Sequence, residues 1–349
     1  MKVIAFTSGR NVPSAIYRIR EYVAYLEKLD IEVDEYFPFV NKNSPPPFVP
    51  TGVRFKYIAP YIVFWFLFKL SFRIFPVLKH KRYAVAWLNR EFLPGLFTLE
   101  RFISIPYVFD FDDAIWLAKP NGQKSFKALC KKAAHVVAGN NFLANEALKY
   151  TDKVSVIPTS VDTTSIFPTN FCGNIYTVGW VGTSVNFSYL YKIEDELYQF
   201  LNDTNAIFLV VSNVKPSFNQ LIEGIHWRFR IWEKSEENEF FNEMDVGIMP
   251  LENTDWEKGK CSFKMLQYLA AGKPVVVSPV GTNVEIIEKG GCGLLASTGE
   301  WNCNLKKLFG SKETRSLMGK RGRELVCKEY SIEVNAVKIR AIFRELTND

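Results

Sequence analysis

Residues 255–286 read DWEKGKCSFKMLQYLAAGKPVVVSPVGTNVEI. The spacing of Phe263, Met265, Leu266 and Leu269 predicts a helix over 262–271, with Ser262 placed to cap its first turn. Gly272-Lys273-Pro274 stops that helix, because proline cannot continue the ladder. Val275-Val276-Val277 then reads as a buried strand, and Gly281 marks a second turn. Helix, buried strand and turn together form one layer of an α/β fold. Lys260, Lys264 and Gln267 stand at i, i+4 and i+7, on one helical stripe. A helix start favours negative charge by about 0.3 to 1 kcal/mol, so two lysines there suit a bound anion, or else they are solvated.

The same alternation runs along the chain in both directions. Strands are expected near 2–7, 31–37, 84–88, 106–110, 135–138 and 153–157, then near 176–181, 207–211, 227–231, 246–249, 274–278 and 293–296. Helices are expected near 14–29, 61–75, 122–133 and 141–149, and at the end near 311–328 and 331–346. With 349 residues, 48% hydrophobic and 23% charged, the chain has room for two ordinary domains. Periodicity fails around Pro168 and Gly173. The expected organisation is therefore a first Rossmann-like half over 1–165, a linker over 166–174 and a second half over 175–330. A closing helix over 331–349 would pack back on the first half. Two such halves would face each other across a cleft at the carboxyl ends of their strands, where open α/β sheets bind ligands.

Composition narrows the partners. A net charge of +6 suits anions, but over this length it forms no concentrated stripe of the nucleic-acid-binding kind. Cysteines at 130, 172, 261, 292, 303 and 327 make no CxxC pair and no cluster with His80, His135 or His226, so reduced thiols and no metal are expected. The opening MKVIAFTSGR is too short an apolar run for a signal peptide, so export is not expected and a cytoplasmic protein is. Residues 61–78, YIVFWFLFKLSFRIFPVL, are interrupted by Lys69 and Arg73 on one helix face, which argues against a spanning segment. With Arg54 and Lys56 before it and Lys79 to Arg82 after, the 61–82 region reads either as a helix lying on an anionic membrane or as a core helix with one polar stripe.

The second half opens YTVGWVGTSVNFSYL, a strand to Val181, a turn at Gly182-Thr183-Ser184 and a helix. A glycine for close approach, amides at a helix start and two hydroxyls point to phosphate, although an ordinary tight turn uses the same residues. Neither GxGxxG nor a Walker loop occurs here.

In joint order, WVGTS, GIMPL and WEKGKCSFKMLQYLAAGKPVVVSPVGTNVEII resemble the nucleotide-sugar half of family 4 (group 1) retaining glycosyltransferases, which have the two-domain GT-B fold. In the first half, SAIYRIREYVAYLEKL, YVFDFDDAIW, VVAGNNFLA and VIPTSVD are similar to segments of bacterial cell-envelope members. The resemblance covers nearly the whole chain. It implies a nucleotide diphosphate sugar as donor, no metal, and a glycan or lipid-linked acceptor held by the first half. Gly182, Thr183, Ser184, Lys260 and Lys264 would surround the diphosphate, since a departing diphosphate needs a positioned cation.

The family's two glutamates, for donor sugar and ribose, fall here on Gly259 and Gln267. Gln267 can still bond a ribose hydroxyl, and Glu257 is the nearest carboxylate for the sugar. The Asp110-Phe111-Asp112-Asp113 run is then no metal motif. Asp110 or Asp112 would orient or deprotonate the acceptor hydroxyl, or else cap a turn or pair with an arginine. Arg18 and Arg20 follow the loop Thr7-Ser8-Gly9-Arg10-Asn11 and would meet the acceptor, or remain surface charges. Two other readings stay open, a nucleotide-sugar epimerase and a non-catalytic GT-B subunit that binds nucleotide or glycan.

Overall fold

The computed structural model describes residues 1–48, 55–118, 121–169, 173 and 175–347. The chain divides into a first unit, Met1–Thr159 with Asn335–Asp349, and a second, Ser160–Val334. Arg54 lies outside the described residues, as do Cys172 and the side chain of Lys56.

In the first unit six parallel strands are β1 (Lys2–Phe6), β2 (Glu32–Tyr36), β3 (Val85–Asn89), β4 (Tyr107–Phe111), β5 (His135–Ala138) and β6 (Val154–Val156). They lie in the order β2-β1-β3-β4-β5-β6. Every residue of β3 and β4 is buried, which is why both are apolar except at Asn89 and Asp110. The order reverses between β1 and β3, the doubly wound arrangement with its ligand-binding crevice at that point. The helix expected near 14–29 runs from Pro13 to Glu27 but widens into a π turn over Ile16–Arg20. That turn buries Tyr17, Arg18 and Ile19 in succession, which a regular helical face does not do.

The helix Phe55–Lys79 outruns its expected 61–75. Lys69 Nζ donates to the carbonyls of Lys42 (2.8 Å) and Ser44 (2.5 Å), and Arg73 donates to those of Tyr36 (3.1 Å) and Thr7. Both charges therefore anchor the helix to the unit, while Phe64, Leu67, Ile74, Phe75 and Leu78 stand exposed on its other side. The final helix, Ile332–Thr347, sets Phe343 edge-on against Trp87 of β3 at 5.4 Å.

The second unit carries β7 (Thr177–Val181), β8 (Ile207–Ser212), β9 (Trp227–Ile231), β10 (Val246–Met249), β11 (Val275–Val277) and β12 (Gly293–Leu295). All are parallel, in the order β12-β11-β10-β7-β8-β9. Renumbered within the unit, that is the 3-2-1-4-5-6 order of a Rossmann sheet. Along β8, Phe208 and Val210 enter one apolar cluster and Leu209 and Val211 another, so both faces are covered. The division between units precedes the expected 166–174 linker because Ile166 is buried in the second unit and its carbonyl accepts from Arg323 (2.7 Å). Residues 170–172 and 174 of that segment lie outside the described residues.

Gly319 lies in the helix Lys312–Leu325, where a Cβ would sit 2.0 Å from the Gly272 carbonyl oxygen. Alanine is the better helix former by about 1 kcal/mol, yet here it must push backbone away, and overpacking costs roughly 1–3 kcal/mol. Gly319→Ala is expected to lower the urea midpoint, and a raised midpoint would contradict this packing.

Candidate functional site

The second sheet reverses between β7 and β10, so the loops leaving these two strands flank its crevice. After β7, Gly182 N donates to Val211 O (3.1 Å) and Ser184 N to Asn213 Oδ1 (2.9 Å), while Asn186 Nδ2 donates to Thr183 Oγ1 (3.2 Å). Two amides expected to face a phosphate are thus already engaged within the fold. The glycine has a packing reason as well. A Cβ at Gly182 would lie 2.4 Å from the Trp180 ring.

From the β10 side, Lys260 Nζ comes within 3.4 Å of Asn186 Oδ1 and 3.3 Å of Tyr189 Oη, and lies 4.7 Å from the Tyr189 ring centroid. A cation from one loop is therefore seated on the turn and helix that follow β7. The Tyr189 hydroxyl donates to one oxygen of Glu257 and the Thr254 hydroxyl to the other. Glu257 is buried, and burial alone would raise its pKa. The two hydroxyls and the Lys260 charge outweigh burial and hold it below the usual carboxylate range. Glu257 was expected at the donor sugar. Its oxygens accept from Thr254 and Tyr189, so it positions Tyr189 and, through it, Lys260. Tyr189 itself carries no sequence signal, because its partner is 68 residues away.

The stripe of Lys260, Lys264 and Gln267 does not form. The helix spans Phe263–Ala270, and Ser262 precedes it at φ 52°, ψ 28°, a left-handed conformation that takes Lys260 off the helical path. Ser262 does not cap the helix; its hydroxyl donates to Asn283 Oδ1 (2.7 Å). Lys264 Nζ donates to Gln267 Oε1 (2.9 Å), and Gln267 Nε2 donates to Glu237 Oε1 (3.3 Å). Gln267 is only 1% exposed, so its side chain is enclosed within this network. Tyr268 Oη accepts from Val181 N (2.7 Å), tying the helix to the end of β7. Gly259 ends the short helix Asp255–Lys258.

In the first unit the acids and arginines pair among themselves. Arg18 grips Asp110 through Nε (2.8 Å) and Nη2 (3.1 Å), and its Nη1 donates to the Ile157 carbonyl (2.6 Å). Trp87 Nε1 adds a bond to Asp110 (3.3 Å). Arg18 is 1% and Asp110 0% exposed. Alternation along β4 explains this: Phe109 and Phe111 face Phe126 on one side, and Asp110 between them faces the other. Asp110 was expected at the cleft as a base and Arg18 at the acceptor; both are enclosed in this ion pair. Asp112 and Asp113 bind Arg90, each at 2.5 Å, and Arg20 binds Glu35 (2.7 Å) and the Arg10 carbonyl (2.7 Å). The expected acceptor and base roles of Arg20 and Asp112 therefore compete with these pairs.

His80 bonds Val77 and Ser104, His135 bonds Ser155, and His226 bonds Ile222 and Asn202. Among the described residues no group of three or more His, Cys, Asp or Glu side chains is placed to hold a metal ion.

Residues 174–308 match the model of the family Glycosyl transferases group 1. Over that stretch the chain is similar to group 1 glycosyltransferases, and the protein is an enzyme. Solved structures resemble the chain over its whole length. Sucrose-phosphate synthase from Thermosynechococcus elongatus has 13% identity and a TM-score of 0.69, with 99% of each chain covered. Anabaena HepE in complex with UDP-glucose has 12% identity and a TM-score of 0.66, covering 99% of this chain and 100% of its own. A glycosyltransferase from Rickettsia africae has 15% identity and a TM-score of 0.64, covering 99% and 98%. At such identities the likeness shows the fold, which is GT-B. No curated protein sequence matches the chain.

Asp110→Ala would leave the Arg18 guanidinium buried without its counter-ion, a change that costs about 3–5 kcal/mol. Thermal unfolding should show that loss directly. An unchanged melting temperature with activity abolished would return Asp110 to the chemistry.

Proposed function

We propose that the protein moves a sugar from a nucleoside diphosphate sugar to a hydroxyl of a cell-envelope glycan or lipid-linked acceptor, with retention of anomeric configuration. The observation that carries the donor half of this reading is the seating of Lys260 on the turn and helix that follow β7, within the stretch similar to group 1 glycosyltransferases. A departing diphosphate gathers negative charge, and a fixed ammonium meets it without reorganisation. Lys260 is held by Tyr189 and Asn186, and Lys264 stands beside Gln267 at the start of the Phe263–Ala270 helix. These two cations are assigned to the diphosphate, in place of a metal ion. The HepE structure with UDP-glucose makes uridine diphosphate the first nucleotide to try.

The acceptor reading draws support from the helix Phe55–Lys79. Because Lys69 and Arg73 turn inward, Phe64, Leu67, Ile74, Phe75 and Leu78 leave a largely apolar outer face, with Lys79 over the Phe75 ring (4.2 Å) at its end and Lys81 and Arg82 exposed beyond. This helix is long and apolar enough to cross a membrane. Its two anchoring charges favour instead a helix held by its own unit, with the apolar face laid on an anionic lipid surface at the cytoplasmic side. Trp65 does not belong to that face, since its indole donates to the Ser44 carbonyl.

Lys260→Ala and Lys264→Ala are each expected to weaken UDP binding about 10- to 100-fold, as for loss of a charge-assisted contact, in isothermal titration. Wild-type protein that binds no nucleoside diphosphate would sink the donor reading. On the acceptor side, a Phe64/Leu67/Phe75 triple alanine variant should lose cosedimentation with phosphatidylglycerol vesicles. Equal sedimentation of variant and wild type would remove the membrane contact.

A further inference from the structure

We infer that Glu237 is the residue that holds the ribose hydroxyls of the bound nucleotide. The inference rests on the donor reading above and assigns a role to a side chain that neither lysine nor Gln267 fills. Glu237 opens the short helix Glu237–Asn242, which follows β9 on the carboxyl edge of the second sheet. It is 8% exposed, and its Oε1 receives two N–H donors, Trp232 Nε1 at 3.3 Å and Gln267 Nε2 at 3.3 Å. Its Oε2 has no hydrogen-bond partner among the described residues, and it is not one of the enclosed unpartnered atoms. One oxygen is thus pinned while the other reaches the surface.

Its place in the first turn of a short helix favours an acid only modestly. Glu237 forms no ion pair among the described residues, and a mostly buried charge met only by neutral donors is costly to keep. Helix capping does not account for it, because both of its bonds go to side chains outside its own helix. Gln267, the position expected at the ribose, is 1% exposed with its oxygen on Lys264 and its nitrogen on Glu237. What this network leaves available is an oriented, acceptor-only oxygen.

An ionised carboxylate matches a vicinal diol, whose two hydroxyls need acceptors, and an acid at the carboxyl edge of a Rossmann sheet is suited to ribose. Lys264 lies on the far side of Gln267, so the anionic and cationic ends of the network suit the sugar and the diphosphate of one nucleotide.

The test compares UDP with 2′,3′-dideoxy-UDP by isothermal titration on wild type and Glu237→Gln. Wild type should prefer UDP by about 10- to 100-fold, the usual range for hydrogen bonds to a charged group. Glu237→Gln, a neutral and weaker acceptor, should lose most of that preference while binding the dideoxy form as wild type does, which also reports an intact fold. Glu237→Asp keeps the charge but draws it back by one bond, so it should lose the preference through reach alone. A preference for UDP retained in both variants would overturn the role of Glu237 and leave the donor reading standing. Absence of UDP binding by wild type would overturn both.

Discussion

The hydroxyl of Tyr268 is the contact on which the second unit's candidate site depends. It accepts the Val181 amide at the end of β7, and its ring fills the space beside Gly247 of β10, where a Cβ would lie 2.3 Å from the ring. Phe241 meets the same ring edge-on at 5.4 Å. One fully buried side chain therefore fixes the helix Phe263–Ala270 against both strands that flank the point of reversal. Lys264 and Gln267 take their places from that helix. Burial drives the Tyr268 pKa upward against the opposing effect of the Val181 amide, so the hydroxyl stays neutral.

Charge is used differently in the two units. In the first, Arg18 with Asp110, and Arg90 with Asp112 and Asp113, are matched pairs in which each guanidinium grips at least two acceptor atoms. Removing one member of the buried pair would strand the other, a cost that holds the pair together. At the candidate site of the second unit the charges are linked through neutral groups: Glu257 to Lys260 through Tyr189, and Glu237 to Lys264 through Gln267. Such relays orient a charge without cancelling it at contact, the arrangement a binding site needs.

The helix Phe55–Lys79 shows the same economy. Two cations at i and i+4 count against a membrane span when read along the sequence. In the fold they bind backbone carbonyls at the ends of β1 and β2 and nearby loop residues, and their inward turn leaves an apolar outer face.

Layering was legible in the sequence. Among the described residues most strands lie where a short apolar run stands, because strands of a parallel sheet covered on both faces need to be apolar at nearly every position, whereas the edge strands β2 and β9 carry charged residues. Gly-Lys-Pro at 272–274 and the amphipathic patterns near the end were equally plain, since helix stops and periodicity are local properties. The pairing of Arg18 with Asp110 across 92 residues, and of Tyr189 with Glu257 across 68, was not legible. Nor was the left-handed Ser262, which breaks a stripe that spacing alone predicts. These depend on strand order, on which face of β4 the first helix covers, and on which loops meet at the reversal between β7 and β10. Periodicity records whether a side chain points inward; only the folded sheet decides what it meets there.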